Sequence, residues 1–329
     1  MPPTDPGTLR AALTWAARAP SVHNSQPWRW RVGEDAVELH ADLSRWLQHA
    51  DADGRDMLLS CGAALHHLVV ALSALGRRAT VTRLPDPARP EVLASVRVPA
   101  TERGAPGDAI DTAAAISTRR TDRRRYGDWP VLERQLDELR ARAAACGAAL
   151  RTVGDGAPRR ALADAFRTAA LAHAAEDGYD LELALWSGHT AAEDGVPAAN
   201  VPPPPAPGAG IPGRRFAGAD LPPADPGPDG ATLLVLGTSS DDRLARLRAG
   251  EALSAVLLHA TTLGMATCPL TEPLEVADTA TAVRDLVLDG TLSPQAVLRI
   301  GWPVATDPPP ATPRRPLLDQ VDGLDHLRP

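Results

Sequence analysis

The chain has 329 residues, enough for one large domain or for two packed units of ordinary size. Its net charge is -7 and it has no long basic run, so neither nucleic acid nor an anionic membrane surface is expected as a partner. Hydrophobic residues make up 44% of the sequence and aromatic residues only 3%, which favours a core filled mainly by Ala, Val and Leu.

The basic residues exclude several classes of enzyme. All 34 of them are arginine, because the sequence contains no lysine. A Walker A loop, a kinase-type ATP site, a Schiff-base aldolase and a pyridoxal phosphate enzyme each need a lysine amine. The common serine-hydrolase, zinc-protease and paired-cysteine motifs are absent too, although a triad or metal site built from distant residues stays open. No catalytic acid or base and no metal ligand is therefore predicted.

Three features predict a cytoplasmic protein. The three cysteines, Cys61, Cys146 and Cys268, are odd in number and widely spaced, which is typical of reduced thiols. The first ten residues contain no apolar segment of the kind found in a secretory signal. The sequence contains no run of about 18 consecutive apolar residues, so no membrane span is predicted.

In chain order, the first hundred residues predict two helices and four strands. Trp28, Trp30 and Val32 alternate with polar residues, as in a strand with one buried face. Apolar residues at helical spacing predict a core helix that ends where Gly76 can serve as its C-cap. The helices are predicted over 7–19 and from Gly54 to about Leu75, and the strands over 27–32, 36–41, 79–84 and 92–98.

A second unit begins near Asp111. Its last helix follows N-cap residues at 239–242, ends at Gly264 and carries apolar residues on more than one face, so it is expected to be buried. Helices are predicted over 131–146, 157–177, 179–187 and 241–263, and strands over 231–237 and 296–302.

Residues 196–230, here called the Pro-rich segment, contain 11 of the 33 prolines and show no periodicity. A loop of this length in a compact domain is usually a linker or a lid. Because the chain on both sides belongs to the same unit, we favour a lid. An exposed, disordered excursion is the alternative.

Residues 20–27, here called the Pro20 turn, combine small polar side chains in an order that no common secondary structure requires. Pro20 pushes the residue before it out of the α region, so the preceding helix should stop near Ala19. The polar residues then stand at the mouth of the strand that starts with Pro27. This arrangement predicts a binding site, with a turn that satisfies only its own backbone as the alternative.

Arginines cluster at 119–124 and again at Arg314 and Arg315. The guanidinium group presents parallel donors that match a phosphate, so these clusters are suited to a phosphorylated ligand. Each cluster alone could also be a solvated surface. Residues 267–271 could likewise be a simple exit from a helix into a turn.

Taken together, these segments resemble the FMN-dependent nitroreductases, and more closely their Acg-like branch, nearly from end to end. Residues 119–123 (Arg-Arg-Thr-Asp-Arg) resemble an Arg-Arg-Ser-x-Arg segment that grips the flavin phosphate and ribityl chain. Residues 20–28 resemble a Pro-Ser-x-x-Asn-x-Gln-Pro-Trp segment that borders the flavin ring from the neighbouring subunit. Residues 264–268 resemble Gly-Leu-Gly-Thr-Cys beside flavin N5, and residues 313–316 resemble the C-terminal phosphate-binding arginines.

The resemblance implies an α+β, nitroreductase-like FMN-binding fold. It implies reduction of a nitroaromatic, quinone or similar small electron acceptor by NAD(P)H through FMN, with the flavin itself carrying the hydride or electrons. A flavin-binding or flavin-sequestering protein with a closed lid is the alternative. The residues that the resemblance assigns to the cofactor are Pro20, Ser21, His23, Asn24, Gln26, Arg119, Arg120, Thr121, Arg123, Cys268, Pro269, Leu270, Thr271, Arg314 and Arg315.

The order of the motifs departs from that of ordinary family members. Those members carry the arginine segment first and pair as homodimers with two flavin sites. Here the Pro20 turn comes about a hundred residues before the arginines, and each motif occurs once. The simplest account is an internal pseudo-dimer of residues 1–110 and 111–329 that keeps one flavin site between its halves and could act as a monomer.

Overall fold

A computed structural model describes residues 5–98, 107–188, 192–204, 211 and 213–323. The helices of this part of the chain are α1 Pro6–Ala16, α2 Arg55–Ala74, α3 Gly107–Thr118, α4 Glu133–Ala145, α5 Ala157–Ala174, α6 Tyr179–Leu185, α7 Arg243–Thr262 and α8 Ala277–Val287. The strands are β1 Trp28–Val32, β2 Val37–Ala41, β3 Thr80–Arg83, β4 Val92–Arg97, β5 Ala149–Thr152, β6 Thr232–Thr238, β7 Ala266–Leu270, β8 Ser293–Gly301 and β9 Val321–Asp322.

The strands form two sheets that share one order of elements. The first sheet has the order β3-β4-β2-β1-β9 and the second has the order β7-β8-β6-β5. Within the first sheet, β1 to β4 pair antiparallel, and β5 to β8 pair antiparallel in the same pattern. In each case two strands, one long helix and two strands follow one another along the chain, preceded by α1 or α4.

Three features break this repetition. The helix α8 lies between β7 and β8, whereas no helix lies between β3 and β4. The second unit also has a long insertion between β5 and β6, which holds α5, α6 and the Pro-rich segment. Residues 205–210 and 212 of the predicted lid lie outside the described residues. After β8 the chain returns to the first sheet, where β9 pairs parallel with β1. The C-terminal arginines precede β9, so this return brings them next to the Pro20 turn.

The long helices α2 and α7 cross at two glycines. A Cβ atom on Gly62 would lie 2.0 Å from the Leu247 carbonyl oxygen, and one on Gly250 would lie 2.1 Å from the Leu59 carbonyl oxygen. No side chain fits at either position, because the atoms in the way belong to the backbone. The two helices therefore pack backbone to backbone between the two sheets.

The predicted helices and strands are all present, with bounds that differ by three residues at most. The first helix ends at Ala16 and not near Ala19, because the chain tightens there into turns in which Arg18 N–H donates to Trp15 O and Ala19 N–H donates to Ala16 O. The alternation in β1 is confirmed: Trp28 and Trp30 are buried, and the residue between them is exposed.

Five elements were not predicted. The strands β5, β7 and β9 are short, and β7 contains a proline. The helices α3 and α8 bury few residues: Ala113, Ala115 and Ile116 in α3, and Thr279 and Val283 in α8. With so few buried residues, neither helix stood out as a core helix.

The helix α2 is long and apolar enough to span a membrane by length and composition, which the search for uninterrupted apolar runs missed. Its most apolar window is 78% buried inside the protein, as is typical of a core helix. The three cysteines are free thiols.

Candidate functional site

One cavity of about 1550 Å³ brings the separate sequence motifs together. Its wall contains parts of the Pro20 turn, the arginine segment, β7, the Pro-rich segment and the C-terminal tail. Twelve of the fifteen predicted site residues line it: Pro20, Ser21, His23, Asn24, Arg119, Thr121, Arg123, Cys268, Pro269, Leu270, Thr271 and Arg314.

The other three predicted residues lie outside the cavity wall. Gln26 is buried, and its side chain donates to Glu193 O at 3.1 Å and accepts from Arg315 N–H at 2.9 Å. The Arg315 guanidinium donates back to Gln26 O at 3.2 Å. Arg120 donates to Ser117 O at 2.9 Å. Gln26 and Arg315 therefore brace the Pro20 turn against the C-terminal tail.

The Pro20 turn has a strained backbone. His23, Asn24 and Gln26 have positive φ angles of 45°, 55° and 51°, in a region that non-glycine residues seldom adopt. The Ser21 hydroxyl holds the turn by accepting from Gln26 N–H at 2.9 Å. Asn24 Nδ2 donates to Gly195 O and Pro313 O, each at 3.1 Å. Contacts with distant parts of the chain thus fix a conformation that the local sequence disfavours.

Arg18, Arg119, Arg120 and Arg314 lie close enough to repel one another, and Arg119 and Arg314 line the cavity. Burial, together with repulsion from Arg119, Arg18 and Arg120, lowers the pKa of Arg314 to about 9. Burial and repulsion from Arg120 and Arg18 lower the pKa of Arg119 to about 10. Among the described residues, no carboxylate forms an ion pair with any of these four arginines. The cluster therefore stores repulsion that an anion would relieve.

Donors in this cluster are free. Within the described chain, Arg119 Nε and Nη1 and Arg314 Nε are buried and have no hydrogen-bond partner. The remaining donors of Arg314 hold the Pro20 turn, since Nη1 donates to Asn24 Oδ1 at 2.9 Å and Nη2 donates to Ala19 O at 3.2 Å. Buried donors without partners are costly, which points to a ligand with acceptor oxygens.

The arginine segment is attached to β7 by main-chain contacts. Thr121 forms a parallel bridge with Thr267, and Asp122 N–H donates to Thr267 O at 2.9 Å. The next residue of β7, Cys268, is buried, and burial raises the pKa of its thiol. This pairing sets the arginines beside residues 268–271 in the cavity wall.

Described residues of the Pro-rich segment line the cavity and contact the Pro20 turn and the arginine segment. The Phe216 ring meets the His23 ring edge to face, with 5.4 Å between centroids, and the Arg123 guanidinium lies 4.8 Å from the Phe216 centroid. Arg123 also donates to Asn200 O at 3.3 Å. Burial and the nearby Arg214 hold the pKa of His23 well below its usual range, so this imidazole is neutral.

Helix α2 contributes site residues that the sequence analysis missed. Asp56 and Ser60 both line the cavity. The Ser60 hydroxyl accepts from Val22 N–H at 3.0 Å and so attaches α2 to the Pro20 turn. Asp56 is 1% exposed, and its Oδ1 accepts two hydrogen bonds from Arg55. A polar pair spaced four residues apart on an apolar helix was the available signal.

Comparison with known proteins finds relatives along almost the whole chain. A Mycobacterium tuberculosis H37Rv protein named "Putative NAD(P)H nitroreductase Rv3131" is 49% identical over 98% of this chain and 93% of its own length. The same organism's "Putative NAD(P)H nitroreductase acg" is 38% identical over 97% of this chain and 96% of its own length. An uncharacterized protein, Rv3127, is 36% identical over 94% of this chain and 91% of its own length. No family model matches.

Solved structures align with part of the chain. A Bacteroides fragilis nitroreductase with bound FMN is 14% identical, with a TM-score of 0.39, over 60% of this chain and 90% of its own. A Desulfitobacterium hafniense nitroreductase with bound FMN is 15% identical, with a TM-score of 0.39, over 64% of this chain and 97% of its own.

Proposed function

This chain belongs to the NAD(P)H nitroreductase family, and we propose that it is an FMN-dependent oxidoreductase that passes electrons from NAD(P)H to a nitroaromatic, quinone or similar small acceptor. One observation carries the cofactor assignment. Within the part of the chain that the structure describes, Arg119 and Arg314 line the cavity, have buried donors without hydrogen-bond partners and form no ion pair with a carboxylate. A phosphate group supplies the missing negative charge and acceptor oxygens.

The residues present fit FMN. Arg119 and Arg314 would hold the phosphate, with the Thr121 hydroxyl beside them, and Arg123 would face the ribityl chain. Residues 269–271 would border the ring, with donors from Leu270 and Thr271, since Pro269 has no N–H. When bound, the cofactor supplies hydride and electron transfer, while the chain binds it, orients it and excludes water. The cavity exceeds the roughly 300–1,000 Å³ typical of pockets for one small ligand, which leaves room for a second substrate.

We also propose that the chain is an internal pseudo-dimer with one flavin site, in the cytoplasm and able to act as a monomer. The shared strand order of the two sheets and the crossing of α2 and α7 at paired glycines support two related halves. The Pro20 turn comes from the first half, and the arginine segment comes from the second. Because each segment occurs once, only one complete site can form.

Replacing Arg119 with Met tests the phosphate assignment. FMN affinity should fall about 10- to 100-fold, because a charge-assisted hydrogen bond is lost, whereas riboflavin, which has no phosphate, should bind as before. Titration by flavin fluorescence measures both. Arg134→Met, at an exposed position on α4, is the matched control and should leave both affinities unchanged. An equal loss for riboflavin would assign Arg119 to folding or to the ring.

A flavin-sequestering protein is the second candidate. The contacts of Phe216 with His23 and Arg123 favour it, because they hold this residue of the Pro-rich segment in the cavity wall. Rapid mixing of the FMN-loaded protein with NADPH separates the two functions. An oxidoreductase bleaches its flavin within catalytic times, and a sequestering protein does not. Replacing residues 200–226 with a Gly-Ser linker should speed flavin reduction and reoxidation by oxygen together if the segment is a lid. Unchanged rates would show that the segment does not act as a lid.

A further inference from the structure

A buried ionic cluster joins the Pro-rich segment to the predicted flavin-facing residue Thr271. At its centre is Glu275, whose side chain is 0% exposed. Glu275 does not line the cavity, but two of its partners, Arg214 and Thr271, do. Arg214 belongs to the Pro-rich segment, and Thr271 follows β7. A single carboxylate thus contacts two neighbouring parts of the cavity wall, Arg214 of the Pro-rich segment and Thr271 after β7.

The hydrogen bonds of this cluster use both oxygens of Glu275. Arg214 Nη2 donates to both, at 2.6 Å in the case of Oε2. The Thr271 hydroxyl donates to Oε1 at 2.8 Å, and His173 Nε2 lies 3.1 Å from Oε2. Arg214 Nη1 donates to the Tyr179 hydroxyl at 2.8 Å. The Arg214 side chain is only 7% exposed, so this pair is shielded from water on both sides.

The cluster is balanced only while Arg214 is in place. Burial favours the neutral form of Glu275, but attraction to Arg214 and hydrogen bonds from His173 and Arg214 outweigh it and hold the pKa of this carboxyl far below its usual range. A movement of the Pro-rich segment that withdrew Arg214 would leave a buried carboxylate without its main counter-charge. Such a state is strongly disfavoured.

We propose that Glu275 is a positioning residue of the flavin site: one carboxylate orients the Thr271 hydroxyl and holds residues 213–223 of the Pro-rich segment closed through Arg214. The proposal rests on the FMN site proposed above for its effect on the flavin. Release of Arg214 and reorientation of Thr271 are then one event, so opening of the segment changes the environment of the ring. The Thr271 hydroxyl keeps its orientation only as long as Arg214 stays paired with Glu275.

Three variants of the full chain test this coupling. Arg214→Met should make residues 213–223 exchange amide hydrogen roughly tenfold faster or more, because a buried ion pair no longer holds them. It should also shift the visible absorption bands of bound FMN, because Thr271 reorients when Arg214 is released. Thr271→Val should leave that exchange unchanged but shift the visible absorption bands of bound FMN. Glu275→Gln should do both. The double variant Arg214→Met/Glu275→Gln should exchange no faster than either single variant, because Arg214 and Glu275 act as one unit. The double variant Thr271→Val/Glu275→Gln should likewise show no further shift of the FMN bands, because Thr271 and Glu275 act as one unit. Glu138→Gln, which removes an exposed carboxylate beside His259, is the control and should do neither.

The outcomes separate this proposal from the proposed function. Unchanged exchange in Arg214→Met, or additive effects of Arg214→Met and Glu275→Gln, would overturn the role of Glu275 in closure. An unshifted spectrum in Thr271→Val would overturn its role at the ring. If Glu275→Gln does not fold, the two partner variants still decide. If the parent protein binds no FMN, the proposed function fails, while the exchange experiment on the flavin-free protein still tests the closure.

Discussion

Two connections at equivalent places in the repeated order of elements differ sharply. Residues 17–27 join α1 to β1 and include the Pro20 turn, whereas only residues 146–148 join α4 to β5. The longer connection contains three non-glycine residues with positive φ, and the shorter one turns at Gly147, with a φ of 83°. The long connection lines the cavity, and the short one does not.

This difference separates what makes the fold from what makes the site. Both connections feed a strand of the same sheet pattern, so the fold needs only a short glycine turn at this place. The eight residues by which the long connection exceeds the short one carry polar groups, backbone strain and contacts to the C-terminal tail. Strain of this kind persists only where the surrounding structure enforces it, and it is concentrated at functional sites.

The largest expected effect is a loss of stability at the crossing of α2 and α7, where the two halves pack together. Gly62→Ala and Gly250→Ala should each destabilise the protein by about 3 kcal/mol or more, because the added methyl meets a backbone carbonyl that cannot move without separating the helices. Urea unfolding measures the loss. Gly154→Ala, where a Cβ would meet nothing within 4 Å, is the control and should change stability little. Losses below about 1 kcal/mol for both helix glycines would contradict the close crossing.

A smaller difference in stability and FMN affinity is expected between substitutions in the long connection, residues 17–27, and the short one, residues 146–148. Asn24→Ala should destabilise the protein by about 2–4 kcal/mol, because two donated hydrogen bonds and one accepted from Arg314 are lost, and it should also weaken FMN binding. Gly147→Ala should cost only about 1 kcal/mol, from its positive φ, and leave FMN affinity unchanged. Urea unfolding measures the stability of each variant, and fluorescence titration measures its FMN affinity. Equal FMN affinity in the two variants would show that the long connection is not part of the site.

Much of the fold could be predicted from the sequence, because its long helices and strands carry strong periodicity. The alternation of Trp28 and Trp30 and the glycine and aspartate caps around α2 and α7 fixed those elements locally. The two-residue β9 could not be found in this way, since its pairing with β1 depends on a return of the chain across the molecule. The repetition of the two sheets likewise appears only in the strand order.

The sequence indicated which segments form the site, but not how their side chains are arranged in space. Twelve of the fifteen residues that the motifs indicated line the cavity, but which side chains face it depends on tertiary contacts. Gln26 and Arg315 bond to each other, a pairing across 289 residues that spacing could not reveal. The cluster around Glu275 was missed because its members come from separate elements, and of these only Thr271 belongs to a predicted flavin-binding segment.

The ratio of flavin to polypeptide tests the central claim, one FMN site built from one copy of each segment, most directly. Flavin released by heat from the reconstituted protein should be quantified against protein concentration, with the mass in solution taken from light scattering. We expect one FMN per chain, whatever the state of association. Two FMN per chain, or none after reconstitution, would contradict the account.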